Sequence, residues 1–397
     1  MLLRATHLIT SLDADGAQMS LARVLQQLGD RAAEMDVISL APEGPVGELL
    51  RKSGVRVRSL GMRSAGHSPA ALSRLARWLR GERPTVLVTW LYHANLLGSL
   101  AAGFAGSMPV VWNVRHSTFE PRHMKRSTQF VVRLGARLAG RWPRKIVFCS
   151  EASRMVHCRN GYPPARSVFI PNGFDLQRFR PSAAQRVEVR RELQIPEGAP
   201  LLGTIGRFHP DKDHANFAAA AGRIARSCPD AHFVLCGRGV SGQNASLVKM
   251  LDEAGVRTRC RLLGVRSDVP RLMAALDIYV SSSLTEAFPH VLGEAMSCGV
   301  PCVATDCGDS RHIVAETGRV VPPRNPQGLA EACLAVLHLR PGDRAQLGEA
   351  ARARITHNFD LRSTAERHYA LWEAAAEANL RPPLRTAPSS RAAARAA

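Results

Sequence analysis

Two carboxylates eight positions apart carry the most chemistry in this chain. They lie in the run Ser283-Leu284-Thr285-Glu286-Ala287-Phe288-Pro289-His290-Val291-Leu292-Gly293-Glu294. Pro289 suits the first turn of a helix, where a missing N–H costs nothing. Glu286 then precedes the helix and Glu294 sits more than one turn inside it, so the two are not side by side. One can reach a sugar at the mouth of a crevice while the other accepts hydroxyl protons from a ribose. The free amides of the helix start form a ready anion site. The plainer alternative is a glutamate that favours the helix dipole and an unrelated second one.

A second cluster is Thr204-Ile205-Gly206-Arg207-Phe208-His209-Pro210-Asp211-Lys212. A buried strand ends at Gly206, and a guanidinium and an ammonium follow it, five positions apart. At the carboxyl edge of a parallel sheet such a pair can clamp a diphosphate and neutralise a leaving phosphate. The alternative is an ordinary charged loop. Gly237 to Gly242 matches G-x-G-x-x-G, but the helix expected after it starts with polar residues and a ribose-binding acid is missing, so NAD binding is not expected. Asp13-Ala14-Asp15 and Asp211-Lys212-Asp213 have the D-x-D spacing of metal-binding loops. With Arg207 and Lys212 already supplying positive charge, no metal is expected.

These residues need strands to hold them. Leu3 to Ile9, Val37 to Leu40, Val55 to Leu60, Thr85 to Trp90, Pro109 to Val114 and Lys145 to Cys149 read as buried strands. Helical spacing fills the gaps at Met19 to Leu28, Ala70 to Arg80, Asn95 to Ala105 and Gln129 to Arg141. The alternation resumes with strands at Leu201 to Ile205, His232 to Leu235, Arg261 to Leu263, Ile278 to Ser281 and Cys302 to Thr305. Helices at Pro326 to Leu339, Asp343 to Asn358 and Leu361 to Ala378 close the chain. Between the halves, residues 171 to 200 carry four prolines and read as a linker with one short polar helix. The implied class is α/β, with mostly parallel sheets covered by helices on both faces.

Composition narrows the partners. The chain has 397 residues, which suits two domains, and a formal charge of +20, which attracts anions. Aromatic residues are only 5%, which argues against a nucleic-acid-binding surface with interleaved aromatics. The nine cysteines contain no CxxC pair and imply a reducing compartment rather than a disulfide framework. No signal peptide is read at the N-terminus. Pro84 to Val114 has no formal charge, yet a buried strand and a packed helix explain it better than a membrane span.

The run SSSLTEAFPHVLGEAMSCGVPCVATDCGDSRHIV resembles the E-x7-E signature of the retaining GT-B glycosyltransferases of family 4. The order of other segments is similar too: a glycine turn at Asp15-Gly16-Ala17, IPNGFD at 170 to 175, TIGRFHPDKDH, LLGVRSDVP and VVPPRNP. The likeness extends to about Tyr369. It implies a GT-B fold, two facing Rossmann-like domains with a deep interdomain cleft. Residues 1 to 178 would form the acceptor domain and 179 to 360 the donor domain. Residues 361 to 378 would pack back toward the first domain, and 379 to 397 would be a disordered basic tail.

The resemblance also implies roles. Arg207 and Lys212 would bind the donor diphosphate, Glu294 the ribose and Glu286 the transferred sugar. Amides of Phe288, His290, Val291 and Leu292 would line the sugar and phosphate pocket. Gly16 would let the N-terminal domain approach the phosphates. Gly264, Val265 and Arg266 would border the base, and His116 would meet the sugar from the acceptor side. Ala287 stands where glycine is usual and His290 where asparagine is common, so sugar identity stays open. The implied reaction transfers a sugar from a nucleoside diphosphate sugar, UDP-linked by expectation, to a hydroxyl of a glycan or lipid-linked acceptor. Configuration is retained, the departing phosphate accepts the acceptor's proton, and neither cofactor nor metal is needed. The alternatives are a sugar-nucleotide epimerase of the same fold and, less favoured, a basic nucleic-acid-binding protein.

One basic segment points to a membrane. Residues 121 to 145 hold eight Lys or Arg and no acid, and Phe130, Val131, Leu134, Leu138 and Trp142 recur at helical spacing. A basic amphipathic helix of this kind binds anionic surfaces. A helix with its apolar stripe in the core and solvated arginines outside is the competing reading. The first places the protein in the cytoplasm, peripheral on the inner face of the membrane.

Overall fold

The computed structural model describes residues 3–62, 69–106, 108–115 and 126–378. His116, Arg122, Lys125 and the tail at 379–397 lie outside them.

The first sheet contains β1 (Ala5–Ile9), β2 (Asp36–Ser39), β3 (Arg56–Ser59), β4 (Val86–Trp90), β5 (Val110–Val114), β6 (Lys145–Phe148) and β7 (Ser167–Phe169). Its order is β3-β2-β1-β4-β5-β6-β7. The second contains β8 (Leu201–Ile205), β9 (His232–Cys236), β10 (Cys260–Leu262), β11 (Ile278–Ser281), β12 (Cys302–Thr305) and β13 (Gly318–Val321), in the order β10-β9-β8-β11-β12-β13. Every pairing is parallel. Strand order reverses between β1 and β4 in one sheet and between β8 and β11 in the other. A crevice opens at such a reversal, outside the carboxyl ends of the strands. Gly16 follows β1, Arg207 follows β8 and Glu286 follows β11, so the chemistry-bearing turns fall at the two reversals. The molecule has the GT-B fold.

The central strands are buried along their whole length, which is why they read as continuous apolar runs. Pro84 to Val114 forms β4, the helix Tyr92–Ala105 and β5. Among the described residues no helix is long and apolar enough to cross a membrane. Two strands escape the sequence reading. β7 has three half-buried residues at a sheet edge, and β13 begins at a glycine after a turn. Neither makes an apolar run long enough to stand out. All nine cysteines are free, and seven are buried.

Two connections tie the halves together. Phe174 of the linker donates its N–H to Phe359 O at 2.8 Å, and Leu361 N–H returns to Phe174 O at 3.1 Å. The last helix, Leu361–Glu377, then packs on the helix Gly16–Leu28 and buries Trp372 completely in the core of the first domain.

The basic segment is helical over Arg126–Leu138. Val131 and Val132 are buried, and Leu134, Leu138 and Trp142 pack against the first domain's core. The apolar stripe is therefore largely internal, because this helix covers one face of the sheet. Phe130 departs from it, 58% exposed beside exposed Arg126, Arg133 and Arg137.

Candidate active site

β8 delivers the cations. Gly206 continues the sheet by donating to Cys236 O, and Arg207 leaves the strand end exposed. A short turn, Pro210–Lys212, brings Lys212 back beneath Gly206. The glycine turn after β9 buttresses this loop. A Cβ on Gly237 would lie 2.1 Å from Gly206 O, and Gly237 has φ +147°, so only glycine fits there. The helix after that turn starts at Ala245, capped by Asn244, so the glycines do not open a helix as a dinucleotide fingerprint requires.

β11 delivers the first carboxylate. Lys212 Nζ contacts Glu286 Oε1 directly, and Ser283 Oγ donates to the same oxygen at 3.1 Å. Ser282 Oγ donates to Lys212 O at 2.8 Å and fixes the lysine's backbone. Arg207 has no ion-pair partner among the described residues, so its fork stays available for a phosphate.

The helix after Glu286 runs from His290 to Ser297, with Pro289 as the residue before its first turn. This places the helix start one residue later than the sequence suggests. Leu292 N–H donates to Pro289 O at 3.2 Å, which leaves the amides of His290 and Val291, in the first turn, as the ones without an intrahelical acceptor. Phe288 is buried against Phe174 and Phe359 and acts as an anchor for this turn. His290 is neutral. Burial pushes its pKa down to about 3, and Arg23, Arg115 and Lys212 add to the effect.

Glu294 lies deeper, only 7% exposed. Burial pushes its carboxyl up from the usual range, and Arg23 opposes that shift. Arg23 belongs to the other domain. Its Nη2 reaches Glu294 Oε1 at 3.2 Å across the cleft. Gly293 is the tight point between the two glutamates: a Cβ there would lie 2.1 Å from the Phe174 ring. The IPNGFD segment and the E-x7-E segment thus pack against each other through one missing methyl group.

A second contact crosses the cleft. Asp309, almost fully buried, accepts the N–H groups of Glu151 and Ala152 at 2.8 and 2.9 Å, at the start of the helix Glu151–Arg159. The carboxylate compensates the free amides of that helix start.

The remaining candidates divide. Gly16 opens the helix Gly16–Leu28 and has open space above it. Gly264, at φ +64°, accepts from Gly237 N–H at 2.7 Å, and Val265 is 75% exposed. The Arg266 guanidinium is held by Asp268 and Glu192, so at this rim only its backbone is free to meet a ligand. His116 lies outside the described residues. Of the D-x-D aspartates, Asp213 caps the helix His214–Ser227 and Asp211 pairs with His209. Among the described residues no group of three potential metal ligands occurs. Arg23, Ser283, Phe174 and Asp309 were not legible as site residues. Arg23 reads as one more surface arginine until the domains are set face to face.

Two family models match this chain: Glycosyltransferase Family 4 over residues 14–178, and Glycosyl transferases group 1 over residues 185–354. The chain belongs to the group 1, family 4 glycosyltransferases. A curated family relative, the Escherichia coli UDP-Gal:alpha-D-GlcNAc-diphosphoundecaprenol alpha-1,3-galactosyltransferase, is 28% identical over 62% of this chain and 63% of its own length. The D-inositol 3-phosphate glycosyltransferase of Mycobacterium tuberculosis is 30% identical over 56% of this chain and 47% of its own. The chain therefore spans about half to two thirds of the length of these relatives. Among solved structures, HepE from Anabaena in complex with UDP and glucose superposes with a TM-score of 0.81, at 22% identity, covering 94% of this chain and all of that one. WaaG, a glycosyltransferase involved in lipopolysaccharide biosynthesis, gives 0.71 at 18% identity, covering 92% and 98%.

Proposed function

We propose that this chain transfers a sugar from a UDP-linked donor to a hydroxyl of a glycan or lipid-linked acceptor, with retention at the anomeric carbon and without a metal. The observation that carries the reading is the contact of Lys212 with Glu286 at the strand reversal of the second sheet, where exposed Arg207 leaves β8, with Glu294 buried on the helix that follows.

In this reading Arg207 and Lys212 take the diphosphate. Their charge is most stabilising when the leaving phosphate carries its developing charge, so they act on the transition state more than on the bound donor. Glu286 lies beside Lys212 and holds sugar hydroxyls. Glu294 accepts the ribose hydroxyls. A glycosidic transition state is cation-like. Neither carboxylate of the motif is assigned to attack on the anomeric carbon: Glu286 pairs with Lys212 and Ser283, and Glu294 lies deeper with Arg23. The departing phosphate then takes the acceptor's proton on the same face, and positioning does the rest. The amides of His290 and Val291 face the same space and suit an anion. His116 is assigned to the acceptor side of the sugar. The E. coli relative's name describes transfer to a diphosphoundecaprenol-linked sugar, which favours a lipid-linked acceptor here. The exposed Phe130 amid Arg126, Arg133 and Arg137 supports docking on an anionic membrane, at its inner face.

The test is a screen of nucleotide sugars for acceptor-independent hydrolysis, with and without EDTA, followed by NMR of the anomer released. Hydrolysis of a UDP-sugar in EDTA, with the donor's configuration kept, is expected. Hydrolysis of none, or loss in EDTA restored by magnesium, contradicts the reading.

A further inference from the structure

The helix Gly16–Leu28 sends one side chain into the other domain's site. Arg23 Nη2 lies 3.2 Å from Glu294 Oε1, with 21% and 10% of the two side chains exposed. Neither has another ion-pair partner among the described residues, and Glu294 Oε2 accepts from no group there. A carboxylate this buried is costly unless it is paired. Among the described residues, the one cation in contact with it comes from 271 positions away in the sequence, across the cleft.

We propose that Arg23 is a positioning residue of the donor site: it holds Oε1 of Glu294 and leaves Oε2 aimed at the ribose, so that nucleotide binding draws on both domains. This rests on the assignment of Glu294 to the ribose. An ionised carboxylate accepts both ribose hydroxyls, whereas a protonated one must use part of its capacity as a donor. Burial raises the pKa of Glu294, and Arg23 is the largest influence acting the other way. The other groups facing Glu294 are Arg178 of the linker, Tyr279 of β11 and Cys298 one turn further along its own helix. Burial pushes Tyr279 and Cys298 upward, so both are neutral near pH 7 and neither replaces Arg23. Arg178 acts on Glu294 without an ion-pair contact. Without Arg23 the carboxylate ionises only at higher pH, and nucleotide affinity follows it.

A purely structural clasp would not show that signature. The experiment is calorimetric titration of UDP into the full chain between pH 5.5 and 9, for wild type, Arg23→Gln, Arg23→Lys and Glu294→Gln. Thermal melting of each variant confirms folding. Wild-type affinity is expected to fall as pH drops through the Glu294 titration. Arg23→Gln should move that fall to higher pH, so that its loss of affinity is greatest at the acid end of the range and shrinks toward pH 9 as the carboxylate ionises. Arg23→Lys should restore most of the wild-type profile. Glu294→Gln should bind weakly at every pH, and adding Arg23→Gln to it should cost little more. If wild type binds UDP and Arg23→Gln matches it in affinity and pH profile, the inference is overturned alone. An equal loss at all pH values, not recovered by lysine, also overturns it. Wild type that fails to bind UDP overturns the donor-site assignment itself.

Discussion

The mouth of the cleft around Glu286 and its floor around Glu294 differ in where the opposing cation comes from. Glu286 meets Lys212 and Ser283, all from the second domain and all held by β8, β11 and the turns after them. That cluster is complete within one domain. Glu294 meets Arg23 of the first domain, and the helix that carries it is braced by Phe174 from the linker. One carboxylate is set by local chain geometry and the other by how the domains meet. A motif spaced along one segment thus places one carboxylate against its own domain and the other against the partner domain.

The largest effect should come from the mouth. Lys212→Ala removes the ammonium that the proposed function sets beside the leaving phosphate, and kcat should fall about 100- to 1,000-fold, as for loss of one preorganised charge-stabilising donor. KM for the donor should change far less. Steady-state kinetics on a folded variant decides this, and near-wild-type turnover would remove Lys212 from the mechanism. Gly293→Ala attacks the brace between the two glutamates. Its methyl group would meet the Phe174 ring at 2.1 Å. Overpacking of this kind costs about 1–3 kcal/mol, read as a lower urea midpoint. An unchanged midpoint would mean the ring yields and the brace is not tight.

Smaller effects bear on the groups between mouth and floor. His290 is neutral in the fold, with a pKa of about 3 against an ordinary 6.5. A depressed folded-state pKa contributes stability that is present above pH 6.5 and lost as pH falls toward 3, because the unfolded chain takes up the proton first. His290→Gln should reduce the acid slope of unfolding stability by about 1.4 kcal/mol per pH unit in that window. A slope identical to wild type would mean His290 is solvated rather than buried. Asp309→Ala removes the acceptor for two amides of the helix Glu151–Arg159 without touching either glutamate. The melting temperature should drop by the equivalent of about 1 kcal/mol while UDP affinity stays unchanged. Loss of UDP affinity in that variant would mean that the second contact, too, reports on the floor of the site.

Much of the frame was legible because burial leaves a trace in the chain. Leu201–Ile205, Ile278–Ser281 and Cys302–Thr305 are apolar runs bounded by polar turns, and they are strands β8, β11 and β12 end for end. The mouth of the site could be read as well, since Glu286, Arg207 and Lys212 all follow such strands directly. The edge strand Ser167–Phe169 could not, because three half-buried residues carry too little pattern. The alanine-rich helix His214–Ser227 was also unread, for its alanines sit on the exposed face at Ala215 and Ala219 as well as on the buried face at Ala218, Ala220 and Ala221, and so blur the stripe. Arg23 was hidden for a different reason. Its role depends on the distance between two domains, and no local spacing encodes that. The same holds for Asp309, whose partners lie more than 150 positions away.

The division of labour between the glutamates is most directly tested by titrating UDP into the Glu286→Gln and Glu294→Gln variants beside wild type, with sugar transfer measured on the same preparations. Wild type should bind UDP. Glu294→Gln should lose about 10- to 100-fold in affinity, as expected for hydrogen bonds to a charged acceptor worth roughly 1.5–3 kcal/mol. Glu286→Gln should keep its UDP affinity and lose transfer. Equal damage to UDP binding in both variants, or wild type that ignores UDP, would contradict the account.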